Sequence, residues 1–269
     1  MAAPPPGPAA VRVTVTRDFG GRTLLSARAA PGQSAMNALR RVADVGTQYG
    51  GRFVSSINRL SGDPSDGDAW LYFVNGIQAD RGATSYTLHP GDREWWDYRY
   101  WSDLIQVPVA IGAWPEPFVH GFGGKVPPVS VTGPCSRQLA GALRSAGATL
   151  STRPSPYRVV VQTFGQAAGA LSPSTQQGRG LTVFLDAGRV MVYRGERGSQ
   201  PDPDARALIV GFQPGGSTGS SAEVLVAGAD RSDACAAAHT LATDPAAVHL
   251  DYAVATDAAG HVVAEGGRP

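Results

Sequence analysis

The sequence predicts an α+β protein in two parts: an N-terminal β-grasp, a small mixed sheet around one helix, joined to a C-terminal α+β domain. Three observations carry this expectation. The first hundred residues pass from period-two alternation to helical spacing and back again. After Pro127-Pro128 the composition shifts: tryptophan disappears while alanine, valine and glycine rise. The 269 residues include 34 glycines and 21 prolines. That leaves enough chain to bury a core, below the roughly 25–30% Gly plus Pro typical of disordered sequences.

Val11, Val13 and Val15 alternate with Arg12, Thr14 and Thr16, the pattern of a half-buried strand. Gly20-Gly21 supplies a hairpin turn, and residues 23–29 form the second strand. Pro31-Gly32 breaks that strand. Ser34 is placed to cap a helix in which Met36, Leu39, Val42 and Ala43 recur at helical spacing, and Gly46, Gly50 and Gly51 end it. Residues 53–58 make a third short strand, and residues 61–68 a polar loop with Pro64 and Gly67. Residues 69–74 are a strong strand, Asn75-Gly76 a turn needing positive φ, and residues 86–88 a short strand. After the turn Pro90-Gly91-Asp92, residues 94–100 alternate into the last strand. That order is the β-grasp, spanning residues 11–101 behind a Pro/Ala-rich tether at residues 1–10.

Residues 102–125 follow neither period. Residues 107–111 suit a strand, whereas Trp114-Pro115-Glu116-Pro117-Phe118 must be extended or turn, because proline forbids helix. Trp114, Phe118 and Phe122 make this an ordered connector packed between domains, since a flexible linker would be polar. The second domain, residues 126–269, mixes strands (129–131, 158–162, 207–212, 222–227) with helices at residues 136–146 and 232–241. Hairpins are expected around Asp186-Ala187-Gly188 and Ala259-Gly260. Two strand–glycine–helix units, residues 129–143 and 224–241, carry Cys135 and Cys235 in similar places. A bridge between these cysteines and two buried thiols both fit that spacing.

A formal net charge of +1 excludes a phosphate-dominated nucleic-acid binder. No apolar run reaches the ~18 residues of a membrane span. Lys125 is the only lysine among the basic residues, which disfavours lysine catalysis. The start MAAPPPGPAA lacks the charged and apolar parts of a signal peptide; it looks like the tether that follows a removed export signal, and a cytosolic chain with an unstructured start is the alternative. No zinc-protease pair, Walker loop or dinucleotide fingerprint occurs. The glycine-rich residues 215–221 open onto a strand rather than a helix, so they lack a phosphate cradle. Cys235 and His239 lie four apart on a helix, but zinc needs three or four such ligands, and no metal site is expected. Glu116 and His120 are the one acid–imidazole pair with a spacing suited to acid–base work.

All five tryptophans (Trp70, Trp95, Trp96, Trp101 and Trp114) fall in one stretch with Tyr72, Phe73, Tyr86, Tyr98 and Tyr100. In residues 69–74 alternation puts Trp70, Tyr72 and Val74 on one face and Leu71 with Phe73 on the other. The apolar Leu71/Phe73 face suits the sheet's core. Trp70 and Tyr72 are then large, rigid side chains left for a ligand or partner. The alternative is that one aromatic set packs against the second domain.

Gly51-Arg52-Phe53-Val54-Ser55-Ser56-Ile57, Trp70-Leu71-Tyr72-Phe73-Val74-Asn75-Gly76, Gly82-Ala83, Tyr86-Thr87-Leu88, Pro90-Gly91-Asp92 and Trp96 occur in that order. This run resembles the transcobalamin-like carboxy-terminal domain, the β-grasp that closes the vitamin B12 carriers and also occurs in exported bacterial proteins. The resemblance covers about a third of the chain; the second domain matches nothing recognised. It implies a secreted or cell-surface protein that binds cobalamin or another corrinoid. In the carriers this domain closes a large helical barrel, and no part of this sequence supplies one. The leading expectation is non-enzymatic ligand binding by Trp70, Tyr72, Asn75, Tyr86 and Trp96, with no catalytic residue and no cofactor beyond a bound corrinoid. The alternatives are a surface module for a protein or envelope glycan, and an enzyme with its site near Glu116 and His120.

Overall fold

Alternate valines draw the first strand into the middle of a sheet. The computed structural model describes residues 9–268 except residues 52, 63, 64, 66, 102, 103, 105 and 215–218, and leaves out the side chain of Gln177. Most of the tether, Pro64 and the centre of the glycine-rich loop therefore lie outside the described residues. Strand β1 (Val11–Arg17) pairs antiparallel with β2 (Arg22–Ala29), and Ser34 caps helix α1 (Ala35–Arg40), its hydroxyl accepting from the Asn37 N–H. Strands β3 (Val45–Gln48), β4 (Phe53–Ile57) and β5 (Leu60–Ser61) form a small antiparallel sheet of their own. Strands β6 (Asp68–Val74), β7 (Ile77–Gln78) and β8 (Arg93–Tyr100) complete the main sheet in the order β2-β1-β8-β6-β7. The central pair β1/β8 is parallel and its neighbours antiparallel, the arrangement of a β-grasp. Val11, Val13, Val15, Trp70, Val74 and Trp96 bury one face against Met36 and Leu39 of α1.

The C-terminal domain begins with β9 (Val129–Thr132) and α2 (Ser136–Ser145), followed by β10 (Leu150–Ser151) and β11 (Tyr157–Thr163). Helices α3 (Phe164–Leu171) and α4 (Pro173–Arg179) lead to a three-stranded sheet of β12 (Val183–Asp186), β13 (Arg189–Tyr193) and β14 (Ser199–Pro201). Then come β15 (Ala207–Phe212), β16 (Ala222–Gly228), α5 (Arg231–Thr243), β17 (Ala253–Thr256) and β18 (Val262–Glu265). The seven-stranded sheet runs β10-β9-β11-β16-β15-β17-β18. Helices α2 and α5 pack on one face through Leu139, Leu143, Ala234, Ala238 and Leu241. Ala167, Leu171 and Val183 cover the other face over Leu208, Val210 and Leu225. Burial on both sides explains why β15 reads as an unbroken apolar run and β16 as one interrupted only by Glu223 near its start. Among the described residues no helix is long and apolar enough to cross a membrane.

Cys135 and Cys235 are bridged, joining the starts of α2 and α5 across a sequence separation of 100 residues. Cys235 is thereby removed as a partner of His239 in holding metal, and no group of three or more metal-ligating side chains occurs among the described residues.

The two sheets meet through their aromatic side chains. Tyr252 packs its ring 5.1 Å from Phe19, 5.3 Å from Phe73 and 5.2 Å from Trp95. The Arg99 guanidinium lies 4.9 Å from the Phe19 centroid and 5.5 Å from that of Tyr252. Inside this apolar shell Asp97 accepts from Thr16 Oγ1 at 2.5 Å, from the Gly20 N–H at 3.2 Å and from the Tyr252 hydroxyl at 3.0 Å. At Gly20, with φ +79°, a Cβ would stand 1.8 Å from the Leu250 carbonyl oxygen, so the β1–β2 turn approaches the second domain as only glycine permits. Tyr252→Phe removes the one hydrogen bond that crosses from the second domain to Asp97. It is expected to cost about 1–2 kcal/mol in urea denaturation; an unchanged midpoint would show that the bond contributes nothing.

Several sequence expectations change. Both faces of β6 are covered: Trp70 and Val74 face α1, whereas Phe73, with Leu71 beside it, packs on the second domain. A small sheet needs only one buried face when it stands alone, and this one does not. Residues 45–48 are strand rather than helix end, paired with β4. Residues 86–88 reduce to a single bridge, Ser34 to Thr87, and residues 107–111 to bridges made by Val109.

Candidate functional site

The five residues singled out from the sequence lie at or near the α1 side of the β-grasp sheet. Trp70 is 4% exposed; its Nε1 donates to the Leu60 carbonyl at 3.2 Å and its ring centroid is 5.3 Å from that of Tyr98. Tyr72 is half-buried, stacks on Trp96 at 4.8 Å and donates its hydroxyl hydrogen to the Arg81 carbonyl. Burial pushes the Tyr72 phenol well above its ordinary pKa, with nearby Glu94 adding to the rise. Tyr86 is buried, packs on Phe122 at 5.1 Å and accepts from the Gly123 N–H at 2.8 Å. Trp96 is buried and donates from Nε1 to Glu94 Oε1 at 2.6 Å.

Asn75 takes φ +51° in the turn between β6 and β7. Its amide donates to Asp92 Oδ1 at 2.7 Å and to the Gly121 carbonyl at 2.9 Å, and its oxygen accepts from the Arg93 N–H at 2.8 Å. These bonds occupy its polar atoms by tying the turn, β8 and the connector together. Tyr72 and Trp96 are brought into contact, while Asn75 belongs to this separate network.

Glu116 and His120 are also together. Glu116 Oε1 lies 2.5 Å from His120 Nδ1, and Oε2 accepts from the His120 backbone N–H at 2.9 Å. The hydrogen bond to buried Glu116 holds the imidazole above its usual pKa. Among the described residues no hydroxyl or thiol hydrogen-bonds to this imidazole.

A concavity lined by aromatic side chains lies where the β-grasp sheet, the connector and the C-terminal residues meet. It has a volume of about 340 Å³, with a floor of Thr14 and Trp95 on the sheet and a wall of Trp114 and Pro115 from the connector. Leu250, Ala246 and His249 close it from the second domain. Trp95 is fixed by the hydrogen bond from its Nε1 to Thr16 Oγ1 at 2.7 Å. Arg93 donates from Nη1 to the Ala113 and Trp114 carbonyls at 2.9 and 3.3 Å, which holds the connector wall. Arg12 and His249 are exposed at its edge. Partial burial, then the nearby Arg93 and Arg12 guanidiniums, hold the His249 imidazole below its usual pKa.

None of Arg12, Thr14, Arg93 or His249 stood out in the sequence. Each is an ordinary residue in an ordinary pattern, and only the pairing of β1 with β8 and the docking of the second domain bring them together. The tryptophan-rich stretch was the available signal; it located Trp95 and Trp114 and could not say that they line one wall and one floor.

Residues 32–99 match a family model described as a domain of unknown function, DUF4430. The matched stretch runs from just before α1 into β8 and leaves the C-terminal domain outside. Among solved structures, a protein from Ruminococcus gnavus proposed to bind metal is 17% identical with a TM-score of 0.29, and the alignment covers 34% of this chain and 97% of that one. Haptocorrin in complex with Cbi is 13% identical with a TM-score of 0.29, covering 37% of this chain and 27% of that one. No curated protein matches.

Proposed function

We propose that this chain is a non-enzymatic, extracytoplasmic binding protein that holds a small molecule in the cleft between its β-grasp sheet and its C-terminal domain. The cleft itself carries the reading. At about 340 Å³ it falls within the roughly 300–1,000 Å³ of small-molecule sites, and a join between domains with aromatic walls and a few polar groups is where such sites occur. The Cys135–Cys235 bridge supports an oxidising compartment. No chemical step is assigned: Glu116 orients His120 through Nδ1 and the backbone N–H, and this pair lies outside the lining of the cleft.

The test is a metabolite screen read by tryptophan emission and native mass spectrometry, since Trp95 and Trp114 line the cleft. Binders are expected to shift the emission and to lose at least about tenfold in affinity in Ala246→Trp, which fills the opening with an indole. Binders untouched by that substitution would remove the cleft as the site.

A corrinoid is the second reading, supported by the motif run within residues 51–96. The cleft is too small to enclose a corrin ring with its side chains, so this ligand would lie across the opening. Equilibrium dialysis against cyanocobalamin tests it: retention at micromolar concentration is expected, and free passage at every concentration ends the corrinoid reading without touching the first.

A further inference from the structure

We propose that the ligand of this cleft is a compact multivalent oxyanion, bearing carboxylate or phosphate groups, received by a row of arginines across the sheet. The proposal rests on the reading of the cleft as a ligand site. Arg12 on β1 is in register with Arg28 on β2 and with Arg93 on β8. Residues in register on neighbouring strands project from the same face, so the three side chains leave the sheet side by side. Neighbouring strands are about 4.8 Å apart, which makes the row roughly 10 Å long from first strand to third.

Like charges directly opposite one another destabilise a sheet unless something neutralises them. Here nothing in the fold does so. Arg17, Arg81, Arg158, Arg194, Arg206 and Arg268 each pair with a carboxylate. Among the described residues Arg12, Arg28 and Arg93 pair with none. His249 faces Arg12 and Arg93 across the cleft. Of the two carboxyls flanking Arg93 in sequence, Asp92 accepts from the Asn75 amide and the His89 N–H, and Glu94 alternates to the opposite face, where it receives Trp96 Nε1.

The chain is nearly neutral, at +1; other arginines such as Arg22 and Arg40 also lack a carboxylate partner among the described residues, and what sets these three apart is the strand register that places them in one row. Guanidinium forks match carboxylate and phosphate oxygens two at a time. Arg28 and Arg12 are exposed, and Arg93 is half-buried with Nη1 already turned to the connector. The row therefore runs from open surface into the cleft. It fits a ligand with one anionic group inside and another over the outer arginines.

The test titrates the full chain with inorganic pyrophosphate and, separately, with citrate, by calorimetry at low ionic strength. At least one is expected to bind, with affinity falling as salt is added and falling at least about tenfold in Arg12→Gln. Arg22→Gln, on β2 with Arg28 but outside the row, is expected to bind as the unaltered chain does. Binding of pyrophosphate alone assigns the phosphate class and of citrate alone the carboxylate class. Failure of both anions to bind at roughly 10 mM overturns the inference, as does binding that Arg12→Gln leaves intact. A neutral metabolite that binds and is expelled by Ala246→Trp, with both anions inert, defeats this inference while the cleft reading stands.

Discussion

Raising the pH from 5 to 8 is expected to lower the unfolding free energy of this chain by roughly 5 kcal/mol through Glu94 and Asp97 alone, and Asp251, whose carboxyl burial pushes from 3.8 up to about 7, adds to the loss in the same direction. Burial pushes the Glu94 carboxyl from 4.5 up to about 8 and the Asp97 carboxyl from 3.8 up to about 6. Glu94 Oε2 has no hydrogen-bond partner, as suits a carboxyl that keeps its proton in the fold. Below pH 4 both states hold their protons and neither group favours unfolding. Between its two values each group is ionised in the unfolded chain and protonated in the fold, so every rise in pH favours the unfolded side.

For Glu94 that window runs from 4.5 to about 8, and for Asp97 from 3.8 to about 6. His120, raised by Glu116, changes stability in the same direction. His249, held low, works the other way, its contribution being present above its unfolded pKa and lost as the pH falls. Melting temperatures at pH 5, 6.5 and 8 measure the sum, and Glu94→Gln isolates the largest part by flattening the upper half of the profile. A melting temperature that holds steady or climbs toward pH 8 contradicts the assignment of protonated Glu94 to the folded core.

Replacing both cysteines, as Cys135→Ser with Cys235→Ser, is expected to have an effect of comparable size. The bridge closes a loop with a sequence separation of 100 residues, for which chain entropy gives about 4.7 kcal/mol. For a chain of this size that is a melting temperature lower by roughly 10 °C. The bond joins the first turns of two helices that pack on the same sheet face, so its loss leaves their apolar contacts in place. Scanning calorimetry with and without reductant gives the same comparison on the unaltered chain. If reduction leaves the transition where it was, the α2–α5 packing alone holds that layer.

The N-terminal half was legible because its signals are local. The valine alternation of β1, the Ser34 cap and the Asn75-Gly76 turn each act within a few residues, and each stands where the sequence indicates. Strand β3 was misread because Gly46 looks like a helix terminator, while its pairing with Ser56 depends on a partner ten residues away. Helix α3 carried a readable start that went unread: Thr163 and Gln166 form a capping box. The faces of β6 could not be assigned from alternation. A period of two says which residues share a side and leaves open which side is covered, and here both are.

The candidate site was hardest of all. Its aromatic part was visible as composition, whereas Arg12, Arg28 and Arg93 are separated by up to 81 positions and become neighbours only through strand register. No local rule of propensity or spacing reports that.

Val109 forms an antiparallel bridge to Ile77 on one side and to Gly211 on the other. Gly211 permits it, since a Cβ there would come within 2.7 Å of Val109. The next residues continue the stitching: Ala110 N–H donates to the Gly76 carbonyl at 2.8 Å and Gly112 N–H to the Asp251 carbonyl at 2.7 Å. A chain segment bonded to both partners in this way is a weld rather than a hinge. Opening the cleft by swinging its two sides apart would break those bonds without replacement, so a ligand of the kind proposed above would enter through side-chain motion at the rim. Its arrival is then paced by diffusion and electrostatic attraction, with no slow conformational step, and association and release follow single-exponential kinetics.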